Sequence, residues 1–180
     1  ATDTADSEST IAHAIESFRQ IRGAYPDRVV FLQATSPLRR PEDIDNALAK
    51  FDEEQADSLF SSAYLDGFFC WRENDGVFTS STYDYKNRSR RQDSKPLILE
   101  NGSIYVFKPQ ILLEECNRLG GKIATYEMER WQAYEIDEPS DVELTSWYFG
   151  IHNLAKHPLA TDNLSSSYLD LVVYDFDGVM

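Results

Sequence analysis

Val29-Val30-Phe31-Leu32 is an unbroken run of β-branched, aromatic and aliphatic residues. Neighbouring side chains of a strand point to opposite faces, so a strand apolar at every position must be covered on both sides. That condition is typical of the middle of a parallel sheet clad in helices. The flanking segments supply such helices. Ile11, Ala14, Ile15, Phe18 and Ile21 recur at helical spacing over 9–22, with Ser9 or Thr10 able to cap the start and Gly23 the stop. A second helix is expected over 41–55, with Pro41 in its first turn and Ile44, Ala47, Leu48 and Phe51 as its buried stripe.

The alternation continues. Strands are expected at 58–64, 103–107 and 122–126, and helices at 109–119 and 139–154. Val142, Leu144, Tyr148 and Ile151 are the expected core contacts of the last helix, and Trp131, Trp147 and Phe51 also read as core. Between 68 and 78 a hairpin is indicated, with Phe68 to Trp71 as one arm, Asn74-Asp75-Gly76 as the turn and Val77-Phe78 as the return. The pattern implies an α/β fold built on a mostly parallel, three-layer, Rossmann-like sheet. Residues 155–168 read as a linker, rich in serine with Pro158, Asp162 and Asn163. Leu171 to Tyr174 then opens a fresh apolar strand, so the chain divides into 1–154, the linker, and the start of a further domain at 169–180.

The net charge of −14 argues against a nucleic-acid partner, because a phosphate backbone selects for an excess of Lys and Arg. No run of eighteen apolar residues is present to cross a bilayer. Cys70 and Cys116 form no metal-binding spacing and no disulfide framework, which points to a reducing, cytoplasmic setting. His13, His152 and His157 share no ligand spacing. A small phosphorylated substrate remains compatible with the charge, since a few placed cations or a metal suffice for it. The cluster Arg88, Arg90 and Arg91 is the local basic exception.

Candidate site residues follow from position and chemistry. Open α/β sheets bind ligands in the loops beyond the carboxyl ends of their strands, which places Gln33, Thr35 and Ser36 at a pocket. Arg91 offers a guanidinium fork for a carboxylate; its plain alternative is a surface arginine. Asn101 and Tyr105 stand at i and i+4, one face of a strand, where an amide and a phenol can meet a polar ligand; Tyr105 could equally be a core tyrosine. Glu135 and Asp137 are paired carboxylates that repel unless a cation lies between them, or else a helix-entry pair before Pro139.

Several blocks resemble one family in order and spacing. Leu32-Gln33-Ala34-Thr35-Ser36-Pro37-Leu38-Arg39, Arg91-Gln92-Asp93, Asn101-Gly102-Ser103-Ile104-Tyr105, Gly121-Lys122-Ile123 with Tyr126 and Met128, and Glu135-Ile136-Asp137 are similar to motifs of the CMP-acylneuraminate synthetases. Ala1-Thr2-Asp3-Thr4-Ala5 resembles the segment before the family's first helix here, and the likeness covers about residues 1–154. It implies a nucleotidyltransferase of glycosyltransferase-A-like fold that joins CMP from CTP to an acidic nine-carbon sugar. Implied roles are catalysis by Asp137 and Arg91, sugar binding by Gln33, Arg91, Asn101 and Tyr105, Mg²⁺ held by Asp137 and Glu135, and a homodimer through Phe68–Trp71. Glu135 departs from the family's usual Asp, which makes its metal role less secure than that of Asp137.

The family's glycine-rich phosphate loop is expected upstream, so this stretch by itself is expected to be inactive. Asp175-Phe176-Asp177-Gly178-Val179 resembles the first motif of haloacid-dehalogenase-type phosphatases, in which Asp175 would be nucleophile and Asp177 acid and base; a turn or metal pair is the alternative. Rival readings are the same reaction on legionaminic, pseudaminic or 3-deoxy-octulosonic acid, a non-catalytic binding module, and a principal activity in a phosphatase region.

Overall fold

The computed structural model describes residues 7–65, 69–88, 90, 93, 97–152, 154 and 170–175. In chain order the elements are α1 (Ser7–Arg22), β1 (Arg28–Gln33), α2 (Asp43–Glu53), β2 (Ser58–Leu65), β3 (Trp71–Asn74), β4 (Val77–Ser80), β5 (Leu97–Phe107), α3 (Pro109–Glu115), β6 (Ile123–Glu127), α4 (Asp141–Ile151) and β7 (Asp170–Asp175), with a 3-10 turn at Arg130–Ala133. Five strands form one sheet in the order β6-β2-β5-β1-β7.

The architecture is α/β, as the alternation of elements implies, and compatible with a Rossmann-like fold. The sheet is mixed. β1 pairs parallel with β7 and β2 parallel with β6, whereas β5 runs antiparallel to both β1 and β2. A mostly parallel sheet was the expectation. No helix is described between β2 and β5, where instead the β3–β4 hairpin lies, and a strand returning without a crossover helix pairs antiparallel. β5 rather than β1 therefore takes the central place.

β1 is buried from Arg28 to Leu32, and its side chains alternate between two apolar clusters. Val30 and Leu32 join Ala47 and Phe51 of α2 with Leu59, Ile104, Val106 and Met128. Val29 and Phe31 join Ile11 and Ile15 of α1 with Tyr105, Phe107 and Leu112 of α3. Helices thus cover both faces of β1, which is why every position of the run is apolar.

Some expected boundaries and contacts differ. α3 stops at Glu115 because Cys116 takes the left-handed conformation (φ 52°). β5 starts at Leu97, six residues before the expected strand, because Leu97–Leu99 pair with Ala63–Leu65. Val142, Leu144, Trp147 and Ile151 of α4 and Ile21 of α1 are exposed, not core. Apolar and polar residues are interleaved around α4, so periodicity does not select its inner face, and Thr145 is its buried residue. β3 and β4 form their own two-stranded sheet around Asp75-Gly76, both at positive φ, as a type I′ turn requires.

β7 lies beside β1 with Gln33 opposite Asp175, so the strand read as opening a further domain pairs with this sheet. Leu171 and Val173 pack against the α1-side cluster, while Val172 and Tyr174 are exposed. The linker and Asp177 lie outside the described residues. Among the described residues no helix is long and apolar enough to cross a membrane.

Candidate active site

The site forms where β1 ends against an irregularity in β5. Phe60 pairs with Tyr105 and Ser62 with Glu100, so a single residue, Ser61, faces the four from Asn101 to Ile104. The surplus is absorbed in a bulge, and Gly102 adopts φ +64°, a conformation open to glycine without steric cost. Ser61 holds the bulge from below: its hydroxyl donates to Asn101 Oδ1 (2.5 Å) and accepts from the Ile104 N–H (2.7 Å). The Ser103 N–H also donates to Asn101 Oδ1 (3.3 Å), and Asn101 Nδ2 lies 3.3 Å from Met128 Sδ.

The bulge breaks the period of two. Asn101 points to the cluster containing Met128, and Tyr105 packs in the opposite cluster against Phe31, ring centroids 5.9 Å apart. They do not share a face, contrary to the i, i+4 expectation. Asn101 is fully buried, so its amide serves the bulge, and the Asn101 carbonyl accepts from Ser36 Oγ (3.4 Å). Tyr105 is likewise buried, and its hydroxyl donates to Glu100 Oε1 (2.6 Å). Burial, and next the Glu100 carboxylate, push its phenol far above the usual range. The Arg118 guanidinium lies over both Tyr105 (4.5 Å) and Phe31 (4.9 Å) and pairs with Glu8 at 3.4 Å.

Gln33 and Glu135 converge on the Gly102 bulge. A Cβ at position 102 would collide with the side-chain oxygens of both. Glu135 is half-buried, accepts a hydrogen bond from Ser36 Oγ (3.1 Å), and is held near the loop by the Ile136 N–H donating to Thr35 O (2.8 Å). Asp137 is exposed; its N–H and that of Glu138 donate to Asp141 Oδ2 (3.0 and 2.8 Å), which fixes the turn into α4. Burial raises the Glu135 carboxyl above the usual carboxylate range, Ser36 opposes the shift, and the charges of Asp137 and Glu100 add to it. Gln33, Asn101 and Glu135 thus meet at one place, with Tyr105 reached through Glu100 and Asp137 acting on Glu135 through its charge. Arg91 and Asp177 lie outside the described residues; the backbone of Asp175 stands opposite Gln33 at the same end of the sheet.

The raised carboxyl has a pH consequence. The folded state binds the Glu135 proton more tightly than the unfolded chain, so this group's contribution is fully present below the ordinary carboxylate pKa and is lost as pH rises through the raised one. Glu135→Gln removes the charge and keeps an oxygen for Ser36. It is expected to raise Tm at neutral pH by about 2–4 °C. The gain should vanish below about pH 4, where the wild-type group is protonated in both states. Melting curves across this range check it, and an equal gain at both ends would contradict it.

Sequence reasoning passed over Ser61, Glu100, Arg39 and the special role of Gly102. An Asn-Gly pair inside a strand pattern is a bulge signal, and it was available. Arg39 is the more informative omission. Its Nη1 donates to Gln33 O (3.2 Å), Ser103 O (3.0 Å) and Ser103 Oγ (3.3 Å), bridging β1 and the bulge.

With this geometry in place, comparison with curated proteins gives a consistent picture. The chain is 33% identical over 140 residues to N-acylneuraminate cytidylyltransferase A of Danio rerio. The likeness is to cytidylyltransferases. An N-acylneuraminate cytidylyltransferase of Oncorhynchus mykiss is 30% identical over 177 residues, and a pseudaminic acid cytidylyltransferase of Campylobacter jejuni is 26% identical over 155. These matches take in 76%, 92% and 84% of this chain, and 32%, 39% and 66% of the respective relatives. The chain thus spans about a third of the first and two fifths of the second. No protein-family model matches it.

Proposed function

We propose that the full-length protein is a cytidylyltransferase that transfers CMP from CTP to the anomeric hydroxyl of N-acylneuraminic acid, within a three-layer glycosyltransferase-A-like fold. The observation that carries this reading is the meeting of Gln33, Gly102 and Glu135 at the end of β1. All three belong to blocks through which the chain resembles the synthetases. The names of the relatives support the same reaction class. The pseudaminic acid enzyme of Campylobacter jejuni supports a related acidic sugar as the second reading.

In this reaction the anomeric oxygen forms a bond to the α-phosphorus, the bond to the bridging oxygen of pyrophosphate breaks, and the hydroxyl proton is released. Arg91 takes the sugar carboxylate in a bidentate fork. Gln33 meets the polyol, while Asn101 and Tyr105 keep the bulge and the neighbouring ring in place. Among the described residues no group of three or more metal-ligating side chains is assembled. Glu135 and Asp137 still suit Mg²⁺, because mutually repelling carboxylates gain from a hard cation that fills its remaining positions with water and substrate oxygens. Bound there, Mg²⁺ would offset the charge spreading over the phosphoryl oxygens. The exposed apolar residues Phe69, Trp71, Val77 and Phe78 of the hairpin region support a homodimer contact.

Pyrophosphate release by the full-length protein, with CTP, Mg²⁺ and a panel of acidic keto-sugars, tests the proposal. Turnover is expected with N-acylneuraminic acid, and Arg91→Ala should lower catalytic efficiency by about 100-fold or more through loss of a charge-assisted pair. Turnover indifferent to the sugar, or an unaffected Arg91 variant, counts against it.

A further inference from the structure

We propose that Arg39 is a positioning residue for the candidate site: it ties the β5 bulge to the end of β1 and so sets how Gln33 and Glu135 sit against Gly102. The inference rests on the cytidylyltransferase reading for its effect on catalysis, and on geometry alone for the tie itself.

One guanidinium nitrogen, Nη1, serves three acceptors drawn from two strands. Gln33 O is the last carbonyl of β1, and Ser103 O and Oγ belong to the bulge. Ser103 is buried, and its own N–H donates to Asn101 Oδ1, so the restraint passes directly to the residues flanking Gly102. The loop carrying Arg39 is anchored independently. Gln132 Nε2 donates to Leu38 O (3.0 Å) and to Asp43 Oδ2 (2.6 Å), and the Arg40 N–H donates to the same Asp43 oxygen (2.6 Å). Leu38 is fully buried. Removal of the guanidinium therefore leaves the loop path in place and loosens the bulge, which keeps only the Leu32–Ile104 pairing and the Ser36 hydrogen bond to Asn101 O on this side. Gln33 Oε1 and Glu135 Oε1 crowd Gly102, so even a small shift of the bulge displaces both side chains. The planar guanidinium matters, because it holds Nη1 in a fixed direction that the flexible stem of a lysine does not reproduce.

Two measurements separate this tie from the reaction it serves. Hydrogen exchange on Arg39→Met should show the amides of Ser103 and Ile104 exchanging about tenfold faster, with those of α2 and β6 unchanged. Unchanged exchange at the bulge, or equal acceleration everywhere, overturns the tie whatever the protein's substrate. In the full-length protein, Arg39→Met should raise KM for the acidic sugar about tenfold and change KM for CTP less than about twofold, and Arg39→Lys should recover part of the loss. Equal effects on both substrates, or a fall in Tm alone, would make Arg39 merely structural. If the wild type turns over no acidic sugar while bulge exchange responds as stated, the reaction assignment fails and the tie stands.

Discussion

Replacing Phe31 by alanine is expected to cost about 3–5 kcal/mol of folding stability, the range for losing a large buried ring. Phe31 is 1% exposed in the middle of β1, pairs across the ladder with Tyr105, and supports both the Tyr105 ring and the Arg118 guanidinium. The gap would open between α1 and the sheet, in the cluster that holds Ile11 and Ile15. A domain stability of about 5–15 kcal/mol leaves little after such a loss. Phe31→Leu keeps most of the volume and should cost under about 1.5 kcal/mol. Urea denaturation reads both as shifts of midpoint at constant slope. A loss below about 1 kcal/mol for the alanine variant would mean that this face of β1 is not the packed surface described here.

Gly102→Ala should act more on function than on stability. The left-handed backbone alone costs a non-glycine residue about 1–2 kcal/mol. The added methyl also meets the Glu135 and Gln33 oxygens, but these are ends of flexible side chains, which swing aside without breaking the backbone. The fold should survive while both site groups are displaced. Misplacement by about 1 Å can cost a hundredfold in rate, so turnover of acidic sugar by the full-length protein should fall by about that factor or more. Gly23→Ala is the control: its φ is +77°, and nothing lies within 4 Å of the added Cβ. It should lose comparable stability and retain turnover. Equal activity in the two variants would detach Gly102 from the site.

How much of this was legible beforehand depends on the kind of information each feature needs. Val29 to Leu32 announced a strand covered on both faces because burial on both sides leaves no polar position in the run. The α2 stripe of Ala47 and Phe51 was equally plain from its spacing. Gln33 could be assigned to a site because it stands at the carboxyl end of an apolar strand, and Glu135 because it is paired with Asp137 in a block that resembles the synthetases. The bulge could not be placed in this way: its size depends on how many residues the opposing strand presents, and Ser61 gives no local sign that it faces four. For the same reason Asn101 and Tyr105 were assigned to one face. The inner face of α4 was unreadable because Val142, Leu144, Trp147 and Ile151 are all apolar, and tertiary packing alone chose Thr145. Arg39 is a basic residue in a loop by sequence; only the fold brings Ser103 and the Gln33 carbonyl to it.

The central claim is attack by the anomeric hydroxyl of an acidic sugar at the α-phosphorus of CTP, and isotope tracing tests it most directly. N-acylneuraminic acid carrying ¹⁸O at the anomeric hydroxyl is incubated with the full-length protein, CTP and Mg²⁺, and the products are read by phosphorus NMR and mass spectrometry. The account predicts a CMP-sugar with the label retained in the oxygen bridging carbon and phosphorus, and unlabelled pyrophosphate. Loss of the label from the product, or no CMP-sugar at all from any acidic keto-sugar, would contradict it.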